Sequence, residues 1–359
     1  MTRRRSGNTL NPWTRRILAN TRCEGQMTTM SWDMRDPYFG VLKGVLKGGV
    51  KGEVCSRPPE NLEQLLSKLP DGVLNQFTGC GSPIPESIAG CRVLDLGCGT
   101  GRDVFLCAAL TGPKGFVMGL DSEPASLAVA RSGVEEVMRS FGHPEPNVAF
   151  REGSIDALSD AGLYKEDFDV VISNRALSIV DDKLKVLKEV HRVLKRGGEF
   201  YSSELFSDRR LPENLIENET LKRSGLDKTL YLGDFMRMAE RAGIRDPRIV
   251  DACPAEFDDP EVTKALGEVG FYAVTLRLFK IAELEEGEED YGQAAIYEGT
   301  LEGFPECFKL DWRNVFYKGV KRRIDGNTAK ILSAPRYSAH FTLIGDGATH
   351  LGPFKGPSA

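Results

Sequence analysis

The sequence predicts an α/β protein with a mostly parallel sheet covered by helices on both faces, followed by a smaller C-terminal α+β domain. Apolar, strand-like runs alternate with amphipathic helical patterns from residue 92 to about residue 250. A glycine-rich turn joins the first strand of this alternation to the first helix. After residue 251 the alternation gives way to short strands around one helix, which indicates a second domain.

The elements of the first domain follow one another in a regular order. Each predicted strand is a short run rich in β-branched or aromatic residues, and each predicted helix carries an apolar stripe. The predicted strands span 92–97, 116–121, 148–153, 168–174 and 199–206. The predicted helices span 101–111, 124–142, 182–198 and 232–243, with two earlier helical patterns at 37–46 and 61–68.

The C-terminal part reads as a separate set of strands. These strands are predicted within 272–281, 293–299, 304–319 and 337–345. The chain therefore divides into a basic extension (1–35), a first domain (36–250) and a C-terminal domain (251–359).

Composition narrows the classes of partner. The formal net charge is -5 and the pI is near 5.6, so no basic field favours nucleic acid. No apolar run approaches the roughly 20 residues that cross a bilayer, so no membrane partner is expected. Eight cysteines without a CxxC pair, in a chain large enough to need no disulfides, favour a soluble, intracellular protein. The expected partner is a small-molecule acceptor.

The first 23 residues differ from the rest, with six arginines and no acid. Together with their serine, threonine and asparagine content, this composition fits an organellar transit peptide. A disordered basic tail, or a true start at Met27 or Met30, would explain it equally simply. The predicted compartment is therefore cytoplasmic or organellar.

The stretch "VLDLGCGTGRD" is the strongest local signal. A strand ends near Asp95, and Gly97, Gly99 and Gly101 form a tight turn where backbone can approach a ligand closely. The next strand ends in Asp121, which is placed to accept hydrogen bonds from ribose hydroxyls. A GxGxG loop followed by this acid resembles the methyltransferases that use S-adenosylmethionine, and a dinucleotide-dependent dehydrogenase is the alternative.

That resemblance implies a Rossmann-like class I methyltransferase domain whose glycine loop holds the amino-acid half of the cofactor. Ser154 and Ile155 would contact the adenine, and Asn174 would face the methionine part or the transferring methyl group. The full set of expected cofactor contacts is Asp95, Gly97, Gly99, Gly101, Arg102, Asp103, Asp121, Ser122, Ser154, Ile155 and Asn174.

From about residue 37 to residue 345 the chain resembles the arsenite methyltransferase family. The segments that carry the resemblance include "FTGCGSPIPESI", "GCGTGRDVF" and "EVHRVLKRGGEFYSSELFSDRRLPE". The family typically holds trivalent arsenic with cysteine thiolates, a soft ligand set. Two of its cysteines remain, at Cys55 and Cys80. The resemblance implies that the pair binding the arsenic is missing, since Arg175 and Gly225 stand at those positions.

Arg175 changes the chemistry expected at the acceptor position. Arginine cannot bind arsenic, but it can bind a carboxylate through two parallel hydrogen bonds. The alternative is that Arg175 pairs with a neighbouring acid such as Asp181 or Asp227. Cys80 is either a thiol of the substrate pocket or a residue that only packs. The expected acceptor contacts are Arg175, Cys80, Ser224 and Tyr231.

No histidine is placed by the sequence near the transfer point, and no catalytic residue is identified. A missing base mildly favours a soft nucleophile, because a thioether or arsenic lone pair has no proton to lose. The sequence therefore predicts S-adenosylmethionine-dependent methylation of a small thiol or thioether that carries a carboxylate. Arsenite methylation with a reduced cysteine set, and a non-catalytic binding protein, are the alternatives.

Overall fold

A computed structural model describes residues 60–143 and 145–356 of the chain. The basic extension, the helical pattern at 37–46 and Cys55 lie outside these residues. The helical pattern at 61–68 is confirmed, as a helix over Glu60–Leu66.

A large mixed sheet forms the centre of the fold. Its order is β3-β2-β1-β4-β5-β8-β7, and β6 pairs with the end of β5. The strands from β3 to β5 pair in parallel, whereas β8 lies antiparallel to both β5 and β7. The predicted parallel-dominated sheet is therefore confirmed. The strands are β1 Arg92–Leu96, β2 Phe116–Asp121, β3 Val148–Glu152, β4 Phe168–Asn174, β5 Leu194–Ser207, β6 Leu230–Tyr231, β7 Arg248–Pro254 and β8 Phe271–Phe279.

Helices cover both faces of this sheet. Neighbouring residues of β1 enter different apolar clusters, because successive side chains of a strand point to opposite faces. Val93 packs with residues of α3 and α4, and Leu94 packs with residues of α6 and α9. No helix within the described residues is long and apolar enough to cross a bilayer. The helices are α1 Glu60–Leu66, α2 Asp71–Leu74, α3 Arg102–Thr111, α4 Pro124–Ser140, α5 Ala176–Ile179, α6 Lys183–Val193, α7 Glu213–Ile216, α8 Glu219–Arg223, α9 Leu232–Arg241, α10 Pro260–Leu266 and α11 Gly326–Leu332.

The helix predicted over 182–198 ends earlier, at Val193, and β5 begins with the next residue. Leu194 takes an extended conformation and lies opposite Phe168 of β4, where both side chains are fully buried. A helical pattern in the sequence precedes "KRGG" and favours a longer helix. Burial of the side chains of Leu194 and Phe168 nevertheless stabilises a strand here. Tertiary packing therefore decides the boundary.

The boundary predicted between residues 250 and 251 falls inside β7, and the large sheet continues through β8 to Phe279. The remaining strands form two small antiparallel sheets, β12-β9-β13 and β10-β11, around an aromatic core that includes Tyr297, Phe308 and Phe341. The strands are β9 Ala294–Tyr297, β10 Cys307–Lys309, β11 Val315–Tyr317, β12 Lys321–Arg323 and β13 Phe341–Ile344.

Two buried arginines join the large sheet to the C-terminal part. Arg248 of β7 forms ion pairs with Asp311 and Asp325, with N···O distances of 2.9 and 3.3 Å. Arg277 of β8 pairs with Glu86 and donates to the hydroxyl of Tyr337. Breaking a buried pair leaves an uncompensated charge, so these networks hold the two parts in one arrangement.

Candidate active site

A cleft opens where the parallel strands β1, β2 and β4 end. Side chains at the carboxyl ends of parallel strands meet at one edge of the sheet, where ligands of α/β folds bind. The segment 76–79, which precedes β1, forms the opposite wall, and about 360 Å³ of space lies between them. The lining residues are Gln76, Phe77, Thr78, Gly79, Asp95, Gly97, Cys98, Gly99, Thr100, Arg102, Asp103 and Asn174.

The glycine loop forms a cradle in which Gly97 and Gly101 leave no room for a side chain. Gly97 has φ +70°, and its amide donates to the carbonyl of Leu120 at 2.8 Å. A Cβ added at Gly97 would lie 2.5 Å from the Cβ of Ala176, and one at Gly101 would lie 2.8 Å from the ring of Phe150. The backbone of this loop therefore faces the cleft with little steric bulk, as close approach of a ligand requires.

Three carboxylates lie near one another at the cleft, and two of them, Asp95 and Asp103, line it. Asp95 is only 2% exposed, and burial raises its pKa well above the ordinary value. The negative charges of Asp103 and Asp121 raise it further, and Arg102 opposes them. Arg102 donates to Asp103 at 2.8 Å and stacks on Phe77, with 3.5 Å from guanidinium carbon to ring centroid. A cationic ligand in this cleft would favour the ionised form of Asp95.

Asp121 ends β2 and stands beside the loop after β3. One carboxylate oxygen accepts from the amide of Gly99 at 2.7 Å and the other from the amide of Glu123 at 2.8 Å. Each oxygen keeps a second lone pair for a ligand. The carbonyl of Asp121 accepts from Gly153, which brings the following Ser154 near this strand end.

Three further residues, Ser122, Ser154 and Ile155, are expected to contact the nucleoside part of the cofactor, and they differ in burial. Ser122 and Ser154 are exposed, and the Ser154 hydroxyl donates to Asp156 at 2.5 Å. The side chain of Ile155 is buried and packs in the core. Its backbone is therefore the part of the residue that lies near the strand ends. Their contacts with a cofactor remain predictions.

Asn174 connects the cofactor side of the cleft to the segment before β1. Its amide group donates to Asp103 at 2.8 Å and to the carbonyl of Gly81 at 3.0 Å. Its carbonyl oxygen accepts from the amide of Cys80 at 2.9 Å. These bonds fix the segment that carries Cys80 against the end of β4.

Arg175 follows Asn174 in a left-handed conformation, with φ +68° and ψ 2°. Its amide donates to the carbonyl of Ser203 at 2.8 Å. This is the last backbone hydrogen bond between the ends of β4 and β5 before the chain enters α5. A non-glycine residue in this region costs roughly 1–2 kcal/mol, so the surroundings must hold the turn.

The guanidinium of Arg175 binds two backbone carbonyls. It donates to Thr78 at 3.2 Å and to Ser224 at 2.8 Å, and its buried Nε has no hydrogen-bond partner among the described residues. Asp181, which the sequence offered as a partner, pairs with Lys228 at 2.7 Å. Within the part of the chain that the structure describes, Arg175 forms no ion pair. The alternative in which Arg175 pairs with Asp181 or Asp227 is therefore not found among these residues.

Positions 175 and 225 come together, as the resemblance implied. A Cβ added at Gly225 would lie 3.9 Å from Nη2 of Arg175 and 3.2 Å from Ile179. Ser224 presents its carbonyl to Arg175, whereas its hydroxyl donates to the carbonyl of Thr220 at 2.9 Å. Arginine thus occupies the space between the end of β4 and the 224–225 turn.

Cys80 lies beside this arginine. Its sulfur donates to the carbonyl of Ser203 at 3.3 Å, and the residue is half-buried. Burial and the negative charge of Glu204 raise the pKa of the thiol, while Arg175 opposes them. The protonated thiol is therefore favoured at neutral pH.

Tyr231 lies apart from the cleft. It is in β6 and pairs with Ser207, whereas Asn174 pairs with Ser203 of the same strand. Its ring lies 5.9 Å below the guanidinium of Arg210. The partners Ser207 and Ser203 lie four residues apart along β5, so the structure does not bring Tyr231 together with the other acceptor residues.

Sequence reasoning missed Glu204, which lies behind the turn at Arg175. Its side chain is 1% exposed in β5 and accepts four hydrogen bonds from the end of β4 and from α5. Burial raises its pKa to about 7, although the hydrogen bonds lower it. An acid within the apolar run "EFYSSELF" was the available signal, because buried acids are rare without partners.

Two known protein families match separate parts of this chain. Residues 88–243 match the family described as "Methyltransferase domain", and residues 291–353 match the family described as "Arsenite methyltransferase C-terminal domain". The second match begins after β8, where the large sheet has ended.

Relatives and a solved structure cover most of the chain. An arsenite methyltransferase of Aquipseudomonas alcaligenes is 40% identical over 301 residues, 84% of this chain and 86% of that protein. The arsenite methyltransferase of Mus musculus is 34% identical over 86% of this chain and 82% of its own. The crystal structure of an arsenic(III) S-adenosylmethionine methyltransferase from Chlamydomonas reinhardtii is 41% identical, with a TM-score of 0.79, over 83% of this chain and all of that one.

These matches favour a methyltransferase over a dehydrogenase or a non-catalytic binding protein. The chain belongs to the arsenite methyltransferase family and is an S-adenosylmethionine-dependent methyltransferase.

Proposed function

We propose that this methyltransferase acts on a small acceptor that carries a soft sulfur nucleophile, a thiol or a thioether, and an acidic group bound by Arg175. The observation that carries the proposal is the set of hydrogen-bond partners around the charged guanidinium of Arg175. The guanidinium bears a full charge, yet within residues 60–143 and 145–356 its partners are two neutral carbonyls, and one of its buried N–H groups has no partner there.

A carboxylate is the ligand that would complete this site. Arginine binds carboxylates through parallel, charge-assisted hydrogen bonds, each worth about 1.5–3 kcal/mol. The two carbonyls come from Thr78, in the segment before β1, and from Ser224, just after α8, so they hold the guanidinium in place without neutralising it. A neutral acceptor would leave the charge uncompensated.

The other half of the cleft suits a cationic cofactor. S-adenosylmethionine supplies an electrophilic methyl group on a sulfonium sulfur, which an acceptor lone pair displaces in line. Asp95 and Asp103 would face its ammonium group, Asp121 its ribose hydroxyls, and the backbone of the glycine loop its amino-acid half. The convergence of three acids and the absence of side-chain bulk at Gly97 support these roles.

Which nucleophile the acceptor carries depends on whether the cleft supplies a base. All four histidines lie in the described part of the chain, and none lines the cleft. His191 packs against Gly243, and His340 bonds to Thr300. An oxygen or amine acceptor would need a base to take its proton, whereas a thioether has none to lose and a thiol can enter as the thiolate, with its proton already released to solvent.

Arsenite is a second candidate acceptor. The relatives named above are arsenite methyltransferases, and Cys80 supplies a thiol beside Arg175. Arginine is a donor only and has no lone pair for arsenic. Among the residues that the structure describes, arsenic would therefore depend on Cys80, whose raised pKa makes it a poor ligand at neutral pH.

Transfer of a radiolabelled methyl group to mercaptoacetate, (methylthio)acetate, 2-mercaptoethanol and arsenite separates these candidates. Mercaptoacetate and 2-mercaptoethanol are matched small thiols that differ in the carboxylate. We expect transfer to the two acids, weak transfer to the neutral thiol and little to arsenite.

Arg175→Ala should raise the KM for mercaptoacetate about tenfold or more, the equivalent of one charge-assisted hydrogen bond, and leave that for 2-mercaptoethanol unchanged. Arg175→Lys should lie between, since it keeps the charge and loses the planar fork. Robust arsenite turnover that Cys80→Ser abolishes, without transfer to either acid, would establish the second candidate instead.

A further inference from the structure

Glu204 lies one residue beyond Ser203 in β5, so its side chain points to the opposite face of the strand from the Ser203 side chain. Ser203 contacts the segment of Gly81, whereas Glu204 faces the underside of the turn that carries Arg175. Glu204 therefore touches neither the cleft nor the proposed acceptor. Any effect it has on the acceptor must act through that turn.

All four hydrogen bonds to this carboxylate come from one short stretch of chain. One oxygen accepts from the hydroxyl of Ser173 at 2.7 Å and from the amide of Leu177 at 3.3 Å. The other accepts from the amide and the hydroxyl of Ser178, at 3.2 and 3.1 Å. The stretch thus binds Glu204 on both sides of Arg175.

Two of these hydrogen bonds satisfy backbone amides at the start of α5. The first amides of a helix have no partner within the helix, and a side-chain oxygen at the N-cap usually accepts from them. Arg175 stands at the N-cap of α5 and has no acceptor atom, so it cannot perform this role. Glu204, from the neighbouring strand, accepts from the amides instead.

We infer that Glu204 is the positioning residue of the acceptor site, which holds the 173–178 turn so that Arg175 keeps its left-handed conformation and presents its guanidinium to the cleft. This role rests on the acceptor site proposed at Arg175. No ion pair within the described residues involves Glu204, so the charge serves the four donors and not a neighbouring cation. Two other titratable groups lie near it, Cys80 and Lys183.

Glu204→Gln is the sharpest perturbation. It keeps the shape of the side chain but replaces one accepting oxygen with an N–H donor that would face other donors. Hydrogen exchange by mass spectrometry on peptides covering 173–180 should accelerate about tenfold or more, the equivalent of one lost charge-assisted bond. The KM for mercaptoacetate should rise at least about fivefold, on the same scale of loss, while the Kd for S-adenosylmethionine changes less than about twofold.

Two further variants separate positioning from general damage. Asp311→Asn removes a buried carboxylate of the Arg248 network, away from the cleft, and should lower the melting temperature without changing exchange over 173–180 or the KM. Ser173→Ala with Ser178→Ala removes donors and leaves Glu204 in place. It should reproduce the effects of Glu204→Gln, which also covers the case in which that variant does not fold.

The outcomes decide the two proposals separately. Wild-type protein that transfers methyl to neither acid defeats the proposed acceptor, and exchange over 173–180 then still decides whether Glu204 holds the turn. Exchange in Glu204→Gln equal to that of wild type overturns the inference whatever the acceptor is. A KM change shared equally by mercaptoacetate and 2-mercaptoethanol would also overturn it, because the effect would then not pass through Arg175.

Discussion

Replacing Glu204 with glutamine should change how the stability of the protein depends on pH. The carboxyl has a pKa of about 7 in the folded protein, because burial outweighs its hydrogen bonds, against an ordinary value of 4.5. An acid whose pKa is raised by folding binds its proton more tightly in the folded state. Stability is therefore lost as pH rises from the unfolded pKa to the folded pKa.

The size of the effect follows from the two pKa values. Across the whole window the loss amounts to about 3 kcal/mol, at 1.36 kcal/mol for each unit. Between pH 5.5 and pH 7.5 it amounts to about 2 kcal/mol, since part of the loss has already occurred by pH 5.5. Glu204→Gln cannot ionise, so its stability relative to wild type should rise by about that amount over the same interval.

Other groups do not obscure this comparison. Asp246 titrates with a pKa of about 6, but it does so in both proteins and cancels in the difference. Burial lowers the pKa of Lys183 to about 8, and Glu204 opposes that shift. Loss of the Glu204 charge lowers it further, which adds to the stability of the variant as pH rises.

The assay is urea unfolding of wild type and Glu204→Gln at pH 5.5 and pH 7.5, with Ser173→Ala as the matched control. Ser173→Ala removes one hydrogen bond to the carboxylate and leaves the charge, so it should keep the pH dependence or enlarge it. A difference between wild type and Glu204→Gln that stays constant between the two pH values would refute the reasoning, because it would mean that Glu204 does not titrate there.

Three further predictions concern the cofactor, the acceptor and the domain contact. Asp121→Ala should weaken S-adenosylmethionine binding by about 1.5–3 kcal/mol, the worth of a charge-assisted hydrogen bond, and unchanged affinity in calorimetry would contradict its role. Arg175→Cys combined with Gly225→Cys should raise arsenite methylation above that of wild type, although a cysteine at φ +63° costs about 1–2 kcal/mol of stability. Arg248→Met should destabilise the protein by about 3–5 kcal/mol at neutral pH, since it leaves buried acids unpaired, and by less near pH 5, as urea unfolding can show.

The cofactor half of the cleft could be predicted because its signals are local. A tight turn after a buried strand demands glycine, and an acid at the end of the next strand is adjacent in space whenever the two strands pair in parallel. Asp95, Gly97 and Asp121 therefore lie where the sequence indicated.

The partners of Arg175 could not be predicted in this way. They are the carbonyls of Thr78 and Ser224, which every residue carries, so no residue type marks them. The start of β5 at Leu194 and the extension of the sheet through β8 escaped prediction for a related reason, since both depend on pairing with distant strands. Glu204 was visible only as an acid within an apolar run.

Under the function proposed above, an arginine at position 175 reverses the charge that a pair of cysteines would give the acceptor site. Two thiolates at positions 175 and 225 would present negative charge and soft lone pairs, whereas a guanidinium in the same space presents fixed positive charge and hydrogen-bond donors. The acids on the floor of the cleft are retained, which keeps the preference for a cationic cofactor. The charge balance of the cleft therefore favours an anionic acceptor beside that cofactor, with Glu204 beneath the turn that aims the arginine between them.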